Sequence, residues 1–184
     1  MLRPAGRGLA PGDVVAVARR GARVELAPEG RAAMAATVAV VERLAASDGP
    51  AYGVSTGFGS LADVRIPAAR REELQRALVR SHAAGMGPPI EREVVRAMIL
   101  LRARSLAMGR SGARPEVVET MLALLNADLL PAVPAFGSVG ASGDLAPLAH
   151  CALPLIGEGD VDGLTASPSA RRARSRASAS SRCA

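Results

Sequence analysis

Apolar residues recur three or four positions apart through most of the chain before Asp162, a spacing that predicts amphipathic helices. The helices expected from this pattern cover roughly residues 13–20, 28–47, 68–84, 91–108, 115–126 and 144–156. Asp13 and Asp144 stand at the starts of two of them, where a carboxylate can cap free backbone amides. Only residues 24–26, Val-Glu-Leu, alternate in the manner of a short strand. The pattern therefore predicts a mainly α fold.

The longer helices are predicted from residues that recur at helical spacing along one face. These are Met34, Val38, Val41 and Leu44 in the second helix, Leu74, Leu78 and His82 in the third, and Val94, Val95, Met98, Ile99 and Leu106 in the fourth. Aromatic residues are scarce, since Tyr52, Phe58 and Phe136 are the only three and Trp is absent. A core of Ala, Val, Leu, Ile and Met favours closely packed helices over a β-sandwich.

Two segments, residues 52–59 and residues 128–143, are too rich in Gly and Pro for regular structure. Loops held on a rigid scaffold carry a large share of functional residues, so candidate chemistry is expected in these two segments. Their glycines resemble a phosphate cradle only weakly, because neither segment lies in the strand–loop–helix setting of a dinucleotide site.

The net charge of +6 comes mainly from residues 165–184. All 23 basic residues are Arg, and the absence of Lys excludes a P-loop, whose Lys contacts the phosphates. Residues 165–184 hold five Arg and no acid, whereas the rest holds 18 Arg against 17 acids. Apart from Thr165, Pro168 and Cys183, this last segment consists of Ala, Ser and Arg, without apolar periodicity. Residues 163–184 are therefore either a disordered basic tail or the product of a shifted reading frame, which we favour, and residues 1–162 form the folded part.

Several other classes of protein are disfavoured. Cys151 and Cys183 are too few for a disulfide framework, and no Cys and His spacing fits zinc. Residues 1–13 lack an apolar signal segment, and no uncharged apolar run reaches the roughly 18–20 residues of a membrane helix. The basic tail lacks the interleaved aromatic residues that stack on nucleic-acid bases. We expect no metal, membrane or nucleic-acid partner, and a cytoplasmic location.

Ala141-Ser142-Gly143 carries a chemistry of its own. The Gly143 nitrogen, which no side chain hinders, can attack the carbonyl carbon of Ala141 two residues earlier. Loss of water from the ring and from the Ser142 hydroxyl then leaves an exocyclic methylene, an electron-poor alkene made from the chain itself. Taken alone, however, Ser-Gly-Asp before an apolar run is typical of an ordinary helix start.

The surroundings of this tripeptide favour the chemical interpretation. Residues 137–150, Gly-Ser-Val-Gly-Ala-Ser-Gly-Asp-Leu-Ala-Pro-Leu-Ala-His, resemble the signature of the aromatic amino acid ammonia-lyases. Residues 52–59, Tyr-Gly-Val-Ser-Thr-Gly-Phe-Gly, are similar to the tyrosine loop of that family. Leu74-Gln75 with residues 81–85, Ser-His-Ala-Ala-Gly, resembles its next motif in the histidine-specific version. The motifs follow the order and spacing of the family, and the resemblance covers roughly residues 10–160.

This resemblance implies a fold, a prosthetic group and residue roles. The implied fold is the N-terminal helical domain of the fumarase/aspartase-like fold, ending before the long central helix bundle. Ala141, Ser142 and Gly143 are similar to the residues that form 4-methylidene-imidazol-5-one autocatalytically, with no metal and no diffusible cofactor. Tyr52 resembles the catalytic base that removes a β-proton, and His82 the residue that faces the substrate ring. Because the reference pKa of a phenol is about 10, such a base needs anion-stabilising donors, and backbone amides among the glycines are one source.

The implied activity is the conversion of L-histidine to trans-urocanate and ammonia, in histidine degradation, by a homotetramer. His150, on the helix after the tripeptide, is expected to be structural. Because chains of the family are much longer, we expect this chain alone to be a truncated, inactive and poorly soluble product. Ser55 stands where many histidine-specific members have Asn, so a lyase or aminomutase for tyrosine or phenylalanine remains an alternative. A non-catalytic helical module with an anion-binding basic tail is the alternative from another class.

Overall fold

The protein is described by a computed structural model that covers residues 8–47, 49–140 and 143–162. It contains the helices α1 (Pro11–Arg20), α2 (Pro28–Ala46), α3 (Arg71–His82), α4 (Arg92–Ala107), α5 (Pro115–Asn126) and α6 (Leu145–Ala152). Short 3₁₀ turns lie at Gly59–Leu61, Ala68–Arg70 and Leu153–Ile156. All six predicted helices are present, and their ends differ from the prediction by at most four positions.

The described residues also form four short strands. Strand β1 (Met86–Pro89) pairs antiparallel with β3 (Pro134–Phe136), and β2 (Leu130–Pro131) pairs antiparallel with β4 (Val161–Asp162). The hydrophobic pattern does not predict them, because they lie in segments rich in Gly and Pro and pair only across long sequence distances. The pair β1–β3 fixes the segment after α5 against the segment between α3 and α4, and the pair β2–β4 fixes it against the segment after α6.

The core is built around α4, which packs against α1, α2 and α5. Its buried members are all aliphatic or sulfur-containing: Val17, Val24, Met34, Val95, Ile99, Leu100, Ala103, Leu106, Ala107, Val118, Met121, Leu122, Leu125, Leu130, Val133 and Cys151. The prediction of a core without aromatic side chains is confirmed. Burial of such side chains is the main source of stability in a unit of this kind.

Some positions on the predicted apolar faces are not buried. Val94 and Leu44 are 41% and 42% exposed, and α3 buries none of its residues. Helix α2 buries Met34 and Gly30 only, because it lies at the edge of the core. The turn after α4 approaches α2 so closely that a Cβ on Gly109, whose φ is +64°, would lie 2.5 Å from the Ala33 backbone.

At the predicted strand of residues 24–26, the structure has a single β-bridge residue, Val24, rather than a strand of three residues. The Val24 amide donates to Oδ1 of Asn126 at 2.9 Å, and Nδ2 of Asn126 donates to the Val24 carbonyl at 2.7 Å. The carboxamide at the end of α5 thus holds this segment against the helix. Asp13 is also placed differently, since it lies inside the first turn of α1 and accepts the Ala10 amide at 3.0 Å.

Arg96 connects three helices from a buried position in α4. Its Nε donates to the Val17 carbonyl at the end of α1 at 2.9 Å, and its Nη1 donates to the Leu125 carbonyl at the end of α5 at 3.2 Å. Nη1 also bonds to Oδ1 of Asp128 at 2.8 Å. Carbonyls at helix C-termini lack partners within their own helix, so one guanidinium completes the ends of two helices. No helix in the described part of the chain is long and apolar enough to span a membrane.

Candidate active site

Tyr52 begins a tight turn in the segment that follows α2. Its side chain is 66% exposed, and its ring meets the Phe58 ring edge-on with the centroids 5.8 Å apart. The Gly59 amide donates a hydrogen bond to the Tyr52 hydroxyl oxygen at 3.3 Å, so a backbone donor lies at the atom that a base would use. Gly53 permits this packing, because its φ is +69° and a Cβ there would lie 2.7 Å from the Phe58 ring.

Ser55 holds the same segment together from inside. It is fully buried, its Oγ accepts the Ala51 amide at 2.9 Å, and the hydroxyl donates to the Gly49 carbonyl at 3.2 Å. The Ser55 carbonyl accepts the Ile66 amide at 2.9 Å. These bonds give Ser55 a structural role in the tyrosine loop.

Helix α3 attaches this loop to the rest of the site. Nε2 of Gln75 donates to the Gly53 carbonyl at 3.4 Å, which joins the second sequence motif to the first. At the start of α3, Arg71 donates to the Ala45 carbonyl at 2.8 Å and to the Ile66 carbonyl at 3.3 Å. One helix therefore contacts the segments on both sides of the tyrosine loop.

His82 is the last residue of α3 and is half-buried. Its Nδ1 lies 2.8 Å from the Leu78 carbonyl, which can only accept, so Nδ1 carries a proton. The Ser81 hydroxyl donates to the same carbonyl at 2.9 Å. In the neutral ring this arrangement leaves Nε2 as a hydrogen-bond acceptor, which suits contact with a donor on a substrate.

His150 connects the end of the second motif to the helix that follows the tripeptide. The Gly85 amide donates to Nε2 of His150 at 3.1 Å, so the ring accepts there, and burial lowers the pKa of His150. A Cβ on Gly85 would lie 3.0 Å from that nitrogen, and a Cβ on Gly137 would lie 3.0 Å from the Gly85 Cα. Glycine at both positions thus lets the two backbones meet.

A second contact docks α3 beside the end of α6. Nε of Arg80 donates to Oε2 of Glu158 at 2.9 Å, across 78 positions of sequence. The hydrogen bond from Arg80 lowers the pKa of Glu158 and keeps its carboxylate charged. Because both side chains are partly exposed, the pair contributes to orientation more than to stability.

Ala141 and Ser142 lie outside the described residues, whereas both flanks of the tripeptide are described. Gly140 and Gly143 have φ values of +70° and +101°, and no atom lies within 4 Å of a Cβ built on either. Glycine is favoured at these two positions by backbone conformation rather than by crowding. Val139 is 87% exposed, so this flank of the tripeptide lies at the surface of the described part of the chain.

Asp144 occupies the N-cap position of α6, yet its carboxylate does not bond to the helix. It accepts a hydrogen bond from the Ser138 hydroxyl instead. The prediction that this side chain caps α6 is wrong, and the sequence of the first helical turn contributes to the difference. Pro147 stands third in α6 and lacks the amide that an N-cap side chain commonly bonds.

The three motifs therefore form one connected unit. Gln75 joins the tyrosine loop to α3, and the contact of Gly85 with His150 joins α3 to α6 beside the flanks of the tripeptide. Within residues 8–47, 49–140 and 143–162, no three His, Cys, Asp or Glu side chains are grouped as metal ligands. The two residues of the Gln75–Gly53 bond are 22 positions apart in the sequence, and those of the Gly85–His150 bond are 65 positions apart.

The sequence profile of the aromatic amino acid lyase family matches residues 9–181. The chain belongs to that family. The match covers all three motifs and both segments that the sequence analysis singled out. Family membership, expected from residues 52–59, 81–85 and 137–150, is thereby confirmed.

Individual relatives agree with this assignment. The chain is 58% identical over 156 residues to histidine ammonia-lyase of Streptomyces coelicolor, a match that spans 85% of this chain and 30% of that enzyme. The crystal structure of histidine ammonia-lyase from Trypanosoma cruzi matches with a TM-score of 0.78 at 37% identity, over 87% of this chain and 30% of that one. Tyrosine aminomutase from Streptomyces globisporus matches with a TM-score of 0.82 at 38% identity, over 88% and 31%.

The chain spans about 30% of the length of the relatives it matches. Its helices correspond to the N-terminal portion of ammonia-lyase and aminomutase structures, so the predicted fold class is confirmed. The bond between Ser138 and Asp144 and the contact of His150 with Gly85 were not foreseen. Pro147 was the one indication in the sequence, because it removes the amide of the third helical residue, one of the two that an N-cap carboxylate commonly bonds.

Proposed function

We propose that this sequence forms the N-terminal part of a histidine ammonia-lyase, an enzyme that converts L-histidine to trans-urocanate and ammonia. The observation that carries the proposal is the connection of the tyrosine loop, the His82 motif and the tripeptide flanks through α3 and α6. The 58% identity to a histidine ammonia-lyase supports the same substrate.

The flanks of the tripeptide fit a prosthetic group made from Ala141, Ser142 and Gly143. Gly140 and Gly143 adopt left-handed backbone conformations in open surroundings, which suits a turn that must fold back on itself. Once formed, 4-methylidene-imidazol-5-one supplies an electrophile that lowers the barrier to loss of ammonia from a substrate whose β-proton is weakly acidic.

Two side chains have proposed roles toward the substrate. Tyr52 removes the β-proton, and the Gly59 amide stabilises negative charge on its oxygen. His82 faces the imidazole of the substrate, with Nδ1 held by the Leu78 carbonyl and Nε2 available to the ligand. Both side chains need fixed positions, because a catalytic group must lie within hydrogen-bond reach of the atom on which it acts.

We further propose that residues 1–162 require a longer enzyme and a homotetramer for activity. Large apolar or aromatic side chains near the candidate site are exposed, including Tyr52 at 66%, Met86 at 73% and Phe136 at 67%. An apolar surface of this kind suits an interface. The purified chain should therefore form no urocanate from L-histidine, whereas formation at the rate of a whole homologous enzyme would contradict this part of the proposal.

The main test is Ser142→Ala in the whole protein that carries this sequence. The unchanged protein should lose two waters from the peptide that contains residues 138–145 and should form urocanate. The variant should retain both waters and lose turnover. Ser105→Ala is the matched control, because the Ser105 hydroxyl bonds to the Leu101 carbonyl within α4. Full turnover by the Ser142→Ala protein would overturn the assignment.

Tyrosine or phenylalanine is the alternative substrate, favoured by the similarity to tyrosine aminomutase at a TM-score of 0.82. A panel of L-histidine, L-tyrosine and L-phenylalanine separates the candidates. His82→Leu should reduce the preference for histidine in a histidine-specific enzyme. An unchanged order of preference would favour the alternative.

Residues 163–184 lie outside the described residues, and we propose that they do not belong to the helical unit. Their composition supports this, since Ala, Ser and Arg make up nearly all of the segment from Thr165 onward. The gene sequence after the codon for Asp162 provides the test. A second reading frame that continues with amphipathic helices would identify the segment as frame-shifted, and its absence would favour a genuine basic tail.

A further inference from the structure

We propose that Ser55 is a positioning residue for Tyr52, because its buried hydroxyl fixes the backbone from which the phenol projects. The inference rests on the proposed function, in which Tyr52 removes the β-proton. Ser55 is fully buried three positions after Tyr52, and its Oγ accepts the Ala51 amide at 2.9 Å. The Ser55 side chain therefore bonds to the residue that directly precedes the proposed base.

The backbone bonds at the start of the tyrosine loop converge on a single oxygen. The Ala51 carbonyl accepts the amides of Val54 at 3.0 Å, Ser55 at 2.9 Å and Thr56 at 3.2 Å. A carbonyl oxygen has two lone pairs, so three donors share it and each bond is weakened. The Ser55 hydroxyl adds a separate connection, because it accepts the Ala51 amide and donates to the Gly49 carbonyl at 3.2 Å.

Ser55 is itself held by the segment that leads into α3. Its carbonyl accepts the Ile66 amide at 2.9 Å, and the Ile66 carbonyl accepts a hydrogen bond at 3.3 Å from Arg71, the first residue of α3. The same helix ends at His82. Ser55 thus relates the position of Tyr52 to the helix that carries the other proposed substrate contact.

The side chain of Tyr52 is held weakly by its own contacts. It is 66% exposed, and its ring meets the Phe58 ring edge-on. Its hydroxyl accepts the Gly59 amide at 3.3 Å, which is longer than the usual N–H···O distance of about 2.9–3.0 Å. The direction of the phenol therefore depends on the backbone of Tyr52. Because a displacement of about 1 Å can cost about a hundredfold in rate, a change in that backbone should appear in turnover.

Three substitutions separate the effect of the hydroxyl from that of the volume it fills. Ser55→Ala removes a donor and an acceptor from a buried position and deprives the Ala51 amide and the Gly49 carbonyl of this partner. Ser55→Cys fills the space, but a thiol is a weak donor and a weak acceptor. Ser60→Ala is the matched control, because Ser60 is an exposed residue of the 3₁₀ turn in the same segment.

Turnover of L-histidine by the whole protein is the first measurement. Ser55→Ala and Ser55→Cys should lower kcat by about tenfold to a hundredfold and leave KM within about twofold, because the base is displaced while substrate binding is kept. Ser60→Ala should match the unchanged protein. An unchanged kcat in either Ser55 variant, or a loss of kcat/KM that lies entirely in KM, would overturn the inference.

A double-mutant cycle with Tyr52→Phe distinguishes positioning from a general loss of folded protein. If Ser55 acts through the Tyr52 hydroxyl, Ser55→Ala should not lower the residual turnover of Tyr52→Phe any further. A smaller folded fraction would lower turnover equally in both backgrounds. Losses that multiply in the double variant would therefore contradict the positioning role.

Hydrogen–deuterium exchange provides a measurement that does not depend on activity. In the peptide that contains residues 51–59, Ser55→Ala should speed exchange by about tenfold or more, because the amides that share the Ala51 carbonyl open more often. Peptides of α4 should exchange as in the unchanged protein. Unchanged exchange in residues 51–59 would sink the inference. If the unchanged protein forms no urocanate, or Tyr52→Phe keeps full turnover, the proposed function fails while the exchange result still stands, so the two failures are distinct.

Discussion

The Gly85 amide donates a 3.1 Å hydrogen bond to Nε2 of His150, and this contact joins the histidine motif to the helix after the tripeptide. The acceptor is a side chain whose charged form would lose the bond, because an imidazolium has protons on both nitrogens. Burial also lowers the pKa of His150. The relative placement of His82 and the tripeptide flanks therefore depends on a neutral ring.

We expect the stability of this region to fall as the pH falls below about 6.5, the reference pKa of His. The pKa of His150 in the folded protein lies below that value, so the unfolded chain takes up a proton at a higher pH than the folded protein does. The free energy of unfolding therefore falls with pH until the pH reaches the pKa of the folded protein. The free energy of unfolding in urea, measured at pH 8 and pH 5.5, should differ more in the unchanged protein than in His150→Gln. The free energy of unfolding should change by less than about 1.4 kcal/mol per pH unit, which is the limit for a difference of one bound proton. A smaller change is expected because the ring is only half-buried.

His82→Gln is the control for this measurement, since His82 is the other histidine of the chain and does not accept the Gly85 amide. It should keep the pH dependence that His150→Gln loses. An equal dependence in all three proteins would show that the ring of His150 does not carry the effect. In His150→Gln, the Gln carbonyl oxygen can still accept the Gly85 amide, so the fold is retained.

Tyr52→Phe should reduce turnover of the whole enzyme by a factor on the order of 10² to 10⁴ while the turn still loses two waters. The variant keeps the edge-on contact with Phe58 and removes only the hydroxyl that accepts the Gly59 amide. Turnover is measured with L-histidine, and dehydration by mass spectrometry. Turnover equal to that of the unchanged protein would exclude Tyr52 as the base, whereas loss of dehydration would give it a role in ring formation.

The helices were predictable from the sequence because each depends on local spacing, and α5 has the predicted ends at Pro115 and Asn126. The strand predicted at residues 24–26 is reduced to a bridge at Val24, whose own amide and carbonyl bond to a carboxamide 102 positions away. The site residues were recognised through motifs rather than through geometry. The contacts that join those motifs, such as Gln75 with Gly53 and Gly85 with His150, follow from tertiary packing that no local pattern encodes. One feature of the site was visible in the sequence, because Pro147 lacks the amide hydrogen that the Asp144 carboxylate could otherwise bond at the third position of α6.

Arg96→Met should destabilise the protein by about 2 kcal/mol, although the substitution keeps an apolar stem of similar length. The guanidinium is buried, and its loss removes the hydrogen bonds that it donates to the Val17 carbonyl, the Leu125 carbonyl and Asp128. Asp128 keeps its pair with Arg92, so the largest cost is expected at the buried helix ends. Denaturant unfolding gives the free energy. Arg19→Met is the control, because the Arg19 pair with Glu93 is exposed and should contribute little. An equal loss of unfolding free energy in both variants would contradict the conclusion that Arg96 joins α1, α4 and α5.

Cys151 should react with a thiol reagent only when α6 leaves the core. It is 7% exposed, and burial raises the pKa of its thiol to about 11, so about one thiol in a thousand is ionised at pH 8. In a Cys183→Ser background, the native protein should label slowly at pH 8 and rapidly after unfolding in urea. Because Cys151 follows His150 directly, His150→Phe should speed native labelling by breaking the contact with Gly85 and loosening α6. Rapid, stoichiometric labelling of the unchanged native protein would instead mean that α6 does not pack against α3 and the 3₁₀ turn as described. In that case, the tripeptide would not be attached to the core through this helix.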